Sequence, residues 1–446
     1  MSGTALNERS GAGSSFEQPI GYRRLAILLL TIAFTLNFVD RQVINILAEP
    51  IKHELHLADW QVGLMSGLAF ALLYTVAGIP IARLADKGDR PRIISVSIFA
   101  WSAFTVACSM ARNFPQLLLG RVGVGLGEAG LTPAATSLIV DYSPRERRAS
   151  ALSLYFLGVP IGTLAGMAMG GIVADVYGWR TAFVVAGLPG VLMAPVLAFA
   201  LREPRRSQTT IGSSGPRLGF LATLRQLWSI RTYRLIVMAT AIQGVVGYGF
   251  APFLASFFMR NHGAEVASLA ASFGLRPAGF LGLSLGLSTG LAGAVGVWLG
   301  GALADRLGRN DLRAYVTIPA MAAMLSLPCY ILIFNLDSVV LALIGLAVPN
   351  VLGAMWMGPI HSTQQSVSPR EIRSSATALF LFVLNLISVG LGPLLVGALS
   401  DGAVSLFGDD AGSGLRTSLI TVSFLAPLSA FLFWSARRSI REDYKA

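Results

Sequence analysis

The stretch Gly301-Ala302-Leu303-Ala304-Asp305-Arg306-Leu307-Gly308-Arg309 ends one long apolar run just before another begins, and a similar stretch occurs 219 residues earlier. That earlier copy reads Ala82-Arg83-Leu84-Ala85-Asp86-Lys87-Gly88-Asp89-Arg90-Pro91-Arg92. A second pattern, Ser143-Pro144-Arg145-Glu146-Arg147-Arg148-Ala149-Ser150-Ala151, returns 225 residues on as Ser368-Pro369-Arg370-Glu371-Ile372-Arg373-Ser374-Ser375-Ala376. Two charged patterns repeated at nearly one offset make the chain two parallel copies. The Ser-Pro-Arg-Glu pattern reads as a helix start, with Ser143 and Ser368 as N-caps, Pro at the first helical position, and Glu146 and Glu371 completing capping boxes. The Asp-Arg pattern reads differently. A short turn needs no alternating charges for solubility alone, and a carboxylate held against arginines and a helix N-terminus makes a latch that breaks when the halves move.

Around these loops the chain is apolar. Of its 446 residues 54% are hydrophobic and 13% charged, with a mean hydropathy of +0.65, whereas a soluble domain carries about 25% charged residues. A soluble globular protein is excluded. Twelve windows are long enough to cross a hydrocarbon layer of about 30 Å as helices: 25–48, 60–82, 93–110, 116–140, 149–173, 181–201, 233–258, 279–303, 315–335, 339–360, 374–399 and 418–434. They predict an all-α membrane protein of two six-helix bundles, 22–201 and 233–436. A polar tail, 1–21, precedes them and reads as disordered. The linker 202–232 contains an amphipathic helix carrying Leu218, Leu221, Leu224, Leu227 and Trp228 beside Arg225, and a short tail, 437–446, follows.

The net charge of +11 raises the question of nucleic acid, and its distribution answers it. Of the 34 Lys and Arg, 26 lie in the tails and even-numbered loops and six in the other loops. Basic residues in short loops stay cytoplasmic, so both termini are expected there and the basicity is an orientation signal. Arg outnumbers Lys 31 to 3, which suggests a GC-rich bacterial genome and hence the inner membrane. Cys108 and Cys329 lie in apolar runs and form no disulfide framework. His53 and His56, with Glu49, Glu54 and Asp59, read as a solvated loop rather than a metal site, and His361 as a capping or interfacial residue. The run Gly123 to Gly127 lies mid-helix with no preceding strand, so it is not a dinucleotide loop. No metal, cofactor or hydrolase constellation appears, and an enzyme is not expected.

Ionisable groups inside spans are costly and are functional candidates. Span one carries Asn37, Asp40 and Arg41 on one face; span four carries Arg121 and Glu128, also on one face. Two acids and two bases in one half form a mutually compensated cluster. Asp40 or Glu128 is the expected proton-coupling acid, and Arg41 or Arg121 its counter-charge or the anchor of an anionic substrate. The second half offers only mild polar groups within its spans, among them Gln243, Tyr248, Asn350 and Asn385. A cavity with one charged and one apolar wall suits an amphiphile with a polar head. Gly158, Gly162, Gly166 and Gly170 on span five form a close-packing stripe.

With twelve spans in two halves and the loop copies at Asp86 and Asp305, the sequence resembles the major facilitator superfamily of secondary transporters. The first loop departs from the family pattern at Ala82 and Asp89. The resemblance implies two bundles rocking about a central cavity, with Asp86, Arg90, Asp305, Arg306 and Arg309 in a cytoplasmic gate. The strings Asn37-Phe38-Val39-Asp40-Arg41 and Gly120-Arg121-Val122-Gly123-Val124-Gly125-Leu126-Gly127-Glu128 resemble the Spinster family. That resemblance implies proton-coupled transport of a lysophospholipid or sphingoid phosphate, with Asp40, Arg41, Arg121 and Glu128 at the positions assigned to coupling and headgroup recognition. Asn37, Gln243, Tyr248 and Asn385 join Arg41 and Arg121 as expected substrate-binding residues, and a monomer working by alternating access is expected. The anion:cation symporters share an Asn-x-x-Asp-Arg string, so a sugar-acid symporter is the alternative; a lipid scramblase or a channel is the alternative of another class.

Overall fold

A computed structural model describes residues 19–144, 147–204, 220–369 and 372–444, with some side chains, including that of Asp86, outside the described set. Among the described residues every regular element is helical. Nine stretches are long and apolar enough to cross a membrane. One of them, Ser150–Ala200, is two crossings joined at Gly178, whose φ of 84° is left-handed and open to glycine without a Cβ clash. The interrupted span four (Phe114–Glu128 and Leu131–Tyr142) and the bent span seven (Arg231–Phe250 with Leu254–Ser272, 41° apart) bring the crossings to twelve. An even number puts both ends of the chain on one side, here called the terminal face.

Several boundaries differ from the sequence expectation. Span seven continues as helix to Ser272, because the run Ala264-Glu265-Val266-Ala267-Ser268-Leu269-Ala270-Ala271 has good helix formers and no breaker. The helices Gly392–Phe407 and Ala411–Ser423 likewise extend past the expected ends. Helices of the second half therefore do carry charge, Arg260, Asp401 and Arg416, near the end away from the termini. The Ser-Pro-Arg-Glu turns are also corrected. Ser143 and Ser368 terminate the helices before them rather than capping the next, which start at Arg148 and Arg373. Ser368 Oγ donates to the Gln364 carbonyl at 2.6 Å. Both turns are tied by an arginine, Arg148 Nε to Ser143 O at 3.3 Å and Arg373 Nε to Ser368 O at 3.4 Å. Glu146 and Glu371 lie outside the described residues, as do the first 18 residues and Leu218 of the linker. The linker helix forms over Phe220–Ser229, with Leu227 buried and Arg225 exposed. The C-terminal segment is docked: Ile440 is buried, and Asp443 Oδ2 accepts from the Thr232 N–H at 2.9 Å at the start of span seven.

The apolar cores show where the halves meet. Away from the terminal face one continuous cluster joins them, with Ile46, Ile51 and Phe183 from the first half and Phe250, Phe257 and Phe334 from the second. Toward the terminal face the cores are separate, one around Ile94, Leu138 and Leu197, the other around Tyr233, Ile236 and Phe433. Span five links the levels. A Cβ on Gly166 would lie 2.8 Å from Val39 O of span one, and one on Gly170 would lie 2.8 Å from Val43. On its other side, a Cβ on Gly286 of span eight would lie 3.2 Å from Leu164. The stripe is a packing device, and it sets the back of span one so that Asn37, Asp40 and Arg41 face away from it.

Candidate functional site: a charged cluster between the halves

Asn37, Asp40, Arg121 and Glu128 are all buried. The two helices that carry them meet through one ion pair: Arg41 Nε donates to Glu128 Oε2 at 2.5 Å. Glu128 ends the first segment of span four, where the helix breaks before Leu131. Glycines let other helices reach it. A Cβ on Gly127 would lie 2.5 Å from the Trp101 nitrogen of span three, and one on Gly125 would lie 3.2 Å from Phe70 Cα of span two. The Gly123–Gly127 run is thus a packing surface.

Asp40 and Arg121 are left without such a partner. Neither Asp40 oxygen has a hydrogen-bond partner, and Arg121 Nε and Nη1 have none either. Glu128 Oε1 and Asn37 Nδ2 are also unpartnered. The Trp101 indole N–H and the Thr105 hydroxyl, themselves unpartnered, face Asp40 within electrostatic reach but outside hydrogen-bonding geometry. So many unpaired buried polar atoms are rare in a packed interior. They make this cluster the candidate site. Of the four charges expected to form one cluster, the structure brings Arg41 and Glu128 into contact and leaves the other two available.

Spans two and seven complete the walls. The Arg41 guanidinium lies 4.8 Å from the Phe70 ring centroid, 4.7 Å from Tyr74 and 5.5 Å from Phe38. Phe70 and Tyr74 stack at 5.4 Å. From the second half, Tyr248 is 47% exposed and within electrostatic reach of both Arg41 and Tyr74; the Arg41 side chain is itself 24% exposed. These groups therefore line a solvent-reached space between the bundles. Gln243 is buried on span seven with Oε1 unpartnered, and Asn385 opens a π-helical turn, Asn385–Leu391, on span eleven. Sequence reasoning missed Phe70 and Tyr74. Their i, i+4 spacing was the available signal, but aromatic residues are common in spans.

The two ends of this space differ. At the end away from the termini Arg260 makes bidentate contacts with Glu49 (2.9 and 2.7 Å) and Asp59 (2.8 and 2.9 Å), across the halves. Lys52 joins Asp59 at 2.5 Å, the Ser400 hydroxyl donates to Asp59 at 2.7 Å, and Asp401 accepts from the N–H groups of Asp59 and Trp60 at 3.1 and 2.8 Å. Asp175 of span five accepts from Gly279 N–H at 2.6 Å at the start of span eight. Glu49 and Asp59, read from sequence as part of a solvated loop, are buried in this seal. At the terminal face Arg90 is fully buried and bonds Glu203, Asp141 (2.6 Å) and Ser137 (2.9 Å), all in its own half. Asp305 accepts from the Tyr315 hydroxyl at 2.9 Å, also in its own half. Arg306 and Arg309 are exposed. Among the described residues no hydrogen bond or ion pair crosses the halves at that face, whereas several tie them at the other end. Asp86, the fifth expected gate residue, has its side chain outside the described residues.

Two helical bundles with a charge-lined site between them, tied across the halves at one end, have the architecture of a membrane transporter. Residues 30–393 match the family model of the Major Facilitator Superfamily, and the chain belongs to that superfamily. It is 32% identical over 425 residues to an MFS-type efflux pump of Mycolicibacterium smegmatis, covering 94% of this chain and 93% of that one. It is 25% identical over 383 residues to the sphingosine-1-phosphate transporter of Danio rerio, covering 84% and 75%. A crystal structure of a bacterial homologue of the human lysosomal transporter Spinster, inward-facing and unoccupied, superposes with a TM-score of 0.85 at 29% identity, over 96% of this chain and all of that one. The chain is a multi-pass membrane transporter with Spinster-type relatives.

Proposed function

We propose that this protein is a proton-coupled secondary active transporter of an anionic amphiphile, a lysophospholipid or sphingoid phosphate, working by alternating access as a monomer in a bacterial inner membrane. The observation that carries the reading is the pairing at the cavity wall: Arg41 bound to Glu128 beside an unpartnered Asp40 and an unpartnered Arg121. Protonating Glu128 removes the charge that holds Arg41. Arg41 and Arg121 then offer charge-assisted donors to a phosphate headgroup. Asp40, which makes no direct ion pair, takes up the proton that keeps the buried site neutral once the headgroup arrives. The apolar wall of the second half, with Gln243, Tyr248 and Asn385 as its polar points, receives the acyl chain. The terminal face is the cytoplasmic one, as the 26 to six division of basic residues supports. There Asp86, Arg90, Asp305, Arg306 and Arg309 belong to the loops that close when the other end opens.

Proteoliposomes loaded at one pH and diluted into another test this. A lysophosphatidate is expected to accumulate faster with a proton gradient, and Glu128→Gln and Asp40→Asn to lose that dependence. Unchanged coupling in both variants overturns the assignment of the acids. Uptake of a sugar acid without the lysolipid points to the organic-anion alternative. Gradient-independent equilibration of the lipid points to a scramblase.

A further inference from the structure

The charges of the site lie on spans one and four, yet the group that touches both arginines is a ring on span two. Phe70 lies 4.8 Å from the Arg41 guanidinium and 5.7 Å from that of Arg121. Two like charges held near one ring repel each other, and only one of them, Arg41, is ion-paired. The ring itself cannot drift. It is buried, it stacks on Tyr74, and its backbone is pressed against span four at Gly125, midway between Arg121 and Glu128. A Cβ on Gly125 would lie 3.1 Å from the Phe70 carbonyl carbon, so the approach exists only because that residue is glycine. The aromatic face thus offers negative potential to both guanidiniums, and to the buried Arg121 in a place where cation–π attraction is stronger than at an exposed site.

We propose that Phe70 is a positioning residue that holds Arg41 and Arg121 together as one two-pronged anion cradle. This rests on the reading that these arginines receive the substrate headgroup. Arg121 contributes the two unpartnered donors Nε and Nη1. Arg41 contributes whatever it no longer gives to Glu128. Phe70 touches no substrate in this scheme; it fixes the angle and spacing of the two forks, and Tyr74 extends the same wall on the Arg41 side. An aliphatic side chain of similar size fills the volume but leaves the two charges without their shared face. The cradle then splays, and recognition of the anion is lost while recognition of the hydrocarbon tail stays.

The test uses the full chain in lipid nanodiscs, with dodecyl phosphate and the uncharged monolaurin as probes. Phe70→Leu is expected to raise the Kd for dodecyl phosphate about tenfold and to leave monolaurin unchanged; Phe70→Tyr, which keeps the ring, is expected to bind both like the parent. Equal loss of both probes in Phe70→Leu, or no loss of either, overturns the proposal. A second measurement does not depend on the substrate reading: the rate of phenylglyoxal modification at Arg41 and Arg121, read by peptide mass spectrometry. It is expected to rise in Phe70→Leu and to return to the parent value in Phe70→Tyr, and equal rates in all three also overturn the proposal. If the parent binds no dodecyl phosphate while the labelling pattern holds, the substrate reading fails and the positioning role stands.

Discussion

The two faces of the molecule use buried charge in opposite ways. Away from the termini, Arg260 of the second half clamps Glu49 and Asp59 of the first, with Asp401 and Asp175 adding bonds in both directions. At the terminal face, Arg90 is more deeply buried still, but its partners Glu203 and Asp141 belong to the same bundle. The first network spans the joint between the halves; the second stays within one of them. Depth of burial therefore says little about which charges tie the halves together; which half each partner belongs to says much more.

Substitutions can break this contrast. Arg90→Met removes the buried guanidinium that bonds Glu203, Asp141 and Ser137, and losing one partner of a buried pair costs about 3–5 kcal/mol. The expected result is a large fall in the melting temperature in detergent, with no change in which face is open, as read by spin-label distances across each end. Arg260→Gln leaves Glu49 without its arginine and Asp59 with Lys52 as its cation, and the halves can relieve the loss by separating. Its expected signature is a shift toward a state open at the face away from the termini, with a smaller loss of melting temperature than Arg90→Met. If both variants behave alike, the distinction between joint and body is wrong. Asp175→Asn weakens a carboxylate bond to the N-terminus of span eight, worth about 1 kcal/mol, and should shift the same distances in the same direction by less. Asp443→Ala removes a cap from span seven within the second half. It should lower the melting temperature by an amount matching about 0.5–1 kcal/mol and leave both inter-half distances unchanged.

Much of this was readable beforehand, for particular reasons. Hydropathy located twelve crossings because water is absent along them, and Asp40, Arg41, Arg121 and Glu128 stood out because ionisable groups are rare in such runs. The sequence did not say which acid takes which base. Spacing put Asp40 and Arg41 on one face of span one and Arg121 and Glu128 on one face of span four, and the contact formed is Arg41 with Glu128, a choice that depends on how the two helices are rotated. Glu49 and Asp59 looked like loop acids because their counter-charge, Arg260, lies over 200 residues away. The Ser-Pro turns were misplaced because serine can cap either of two abutting helices, and here it closes the first.

The glycines of span five have one more consequence. That helix rests backbone to backbone on span one through Gly158, Gly162, Gly166 and Gly170, and on span eight through Gly171 and the facing Gly282 and Gly286. One side is a weld inside a bundle and the other a bearing between bundles, yet both are built of the same bare surface. Without side chains at these positions the two halves approach backbone to backbone across the joint. A single methyl group at Gly171 or Gly282 would run into the backbone of the facing helix, at Ala278 or Met167, so the two halves would have to stand further apart even at rest.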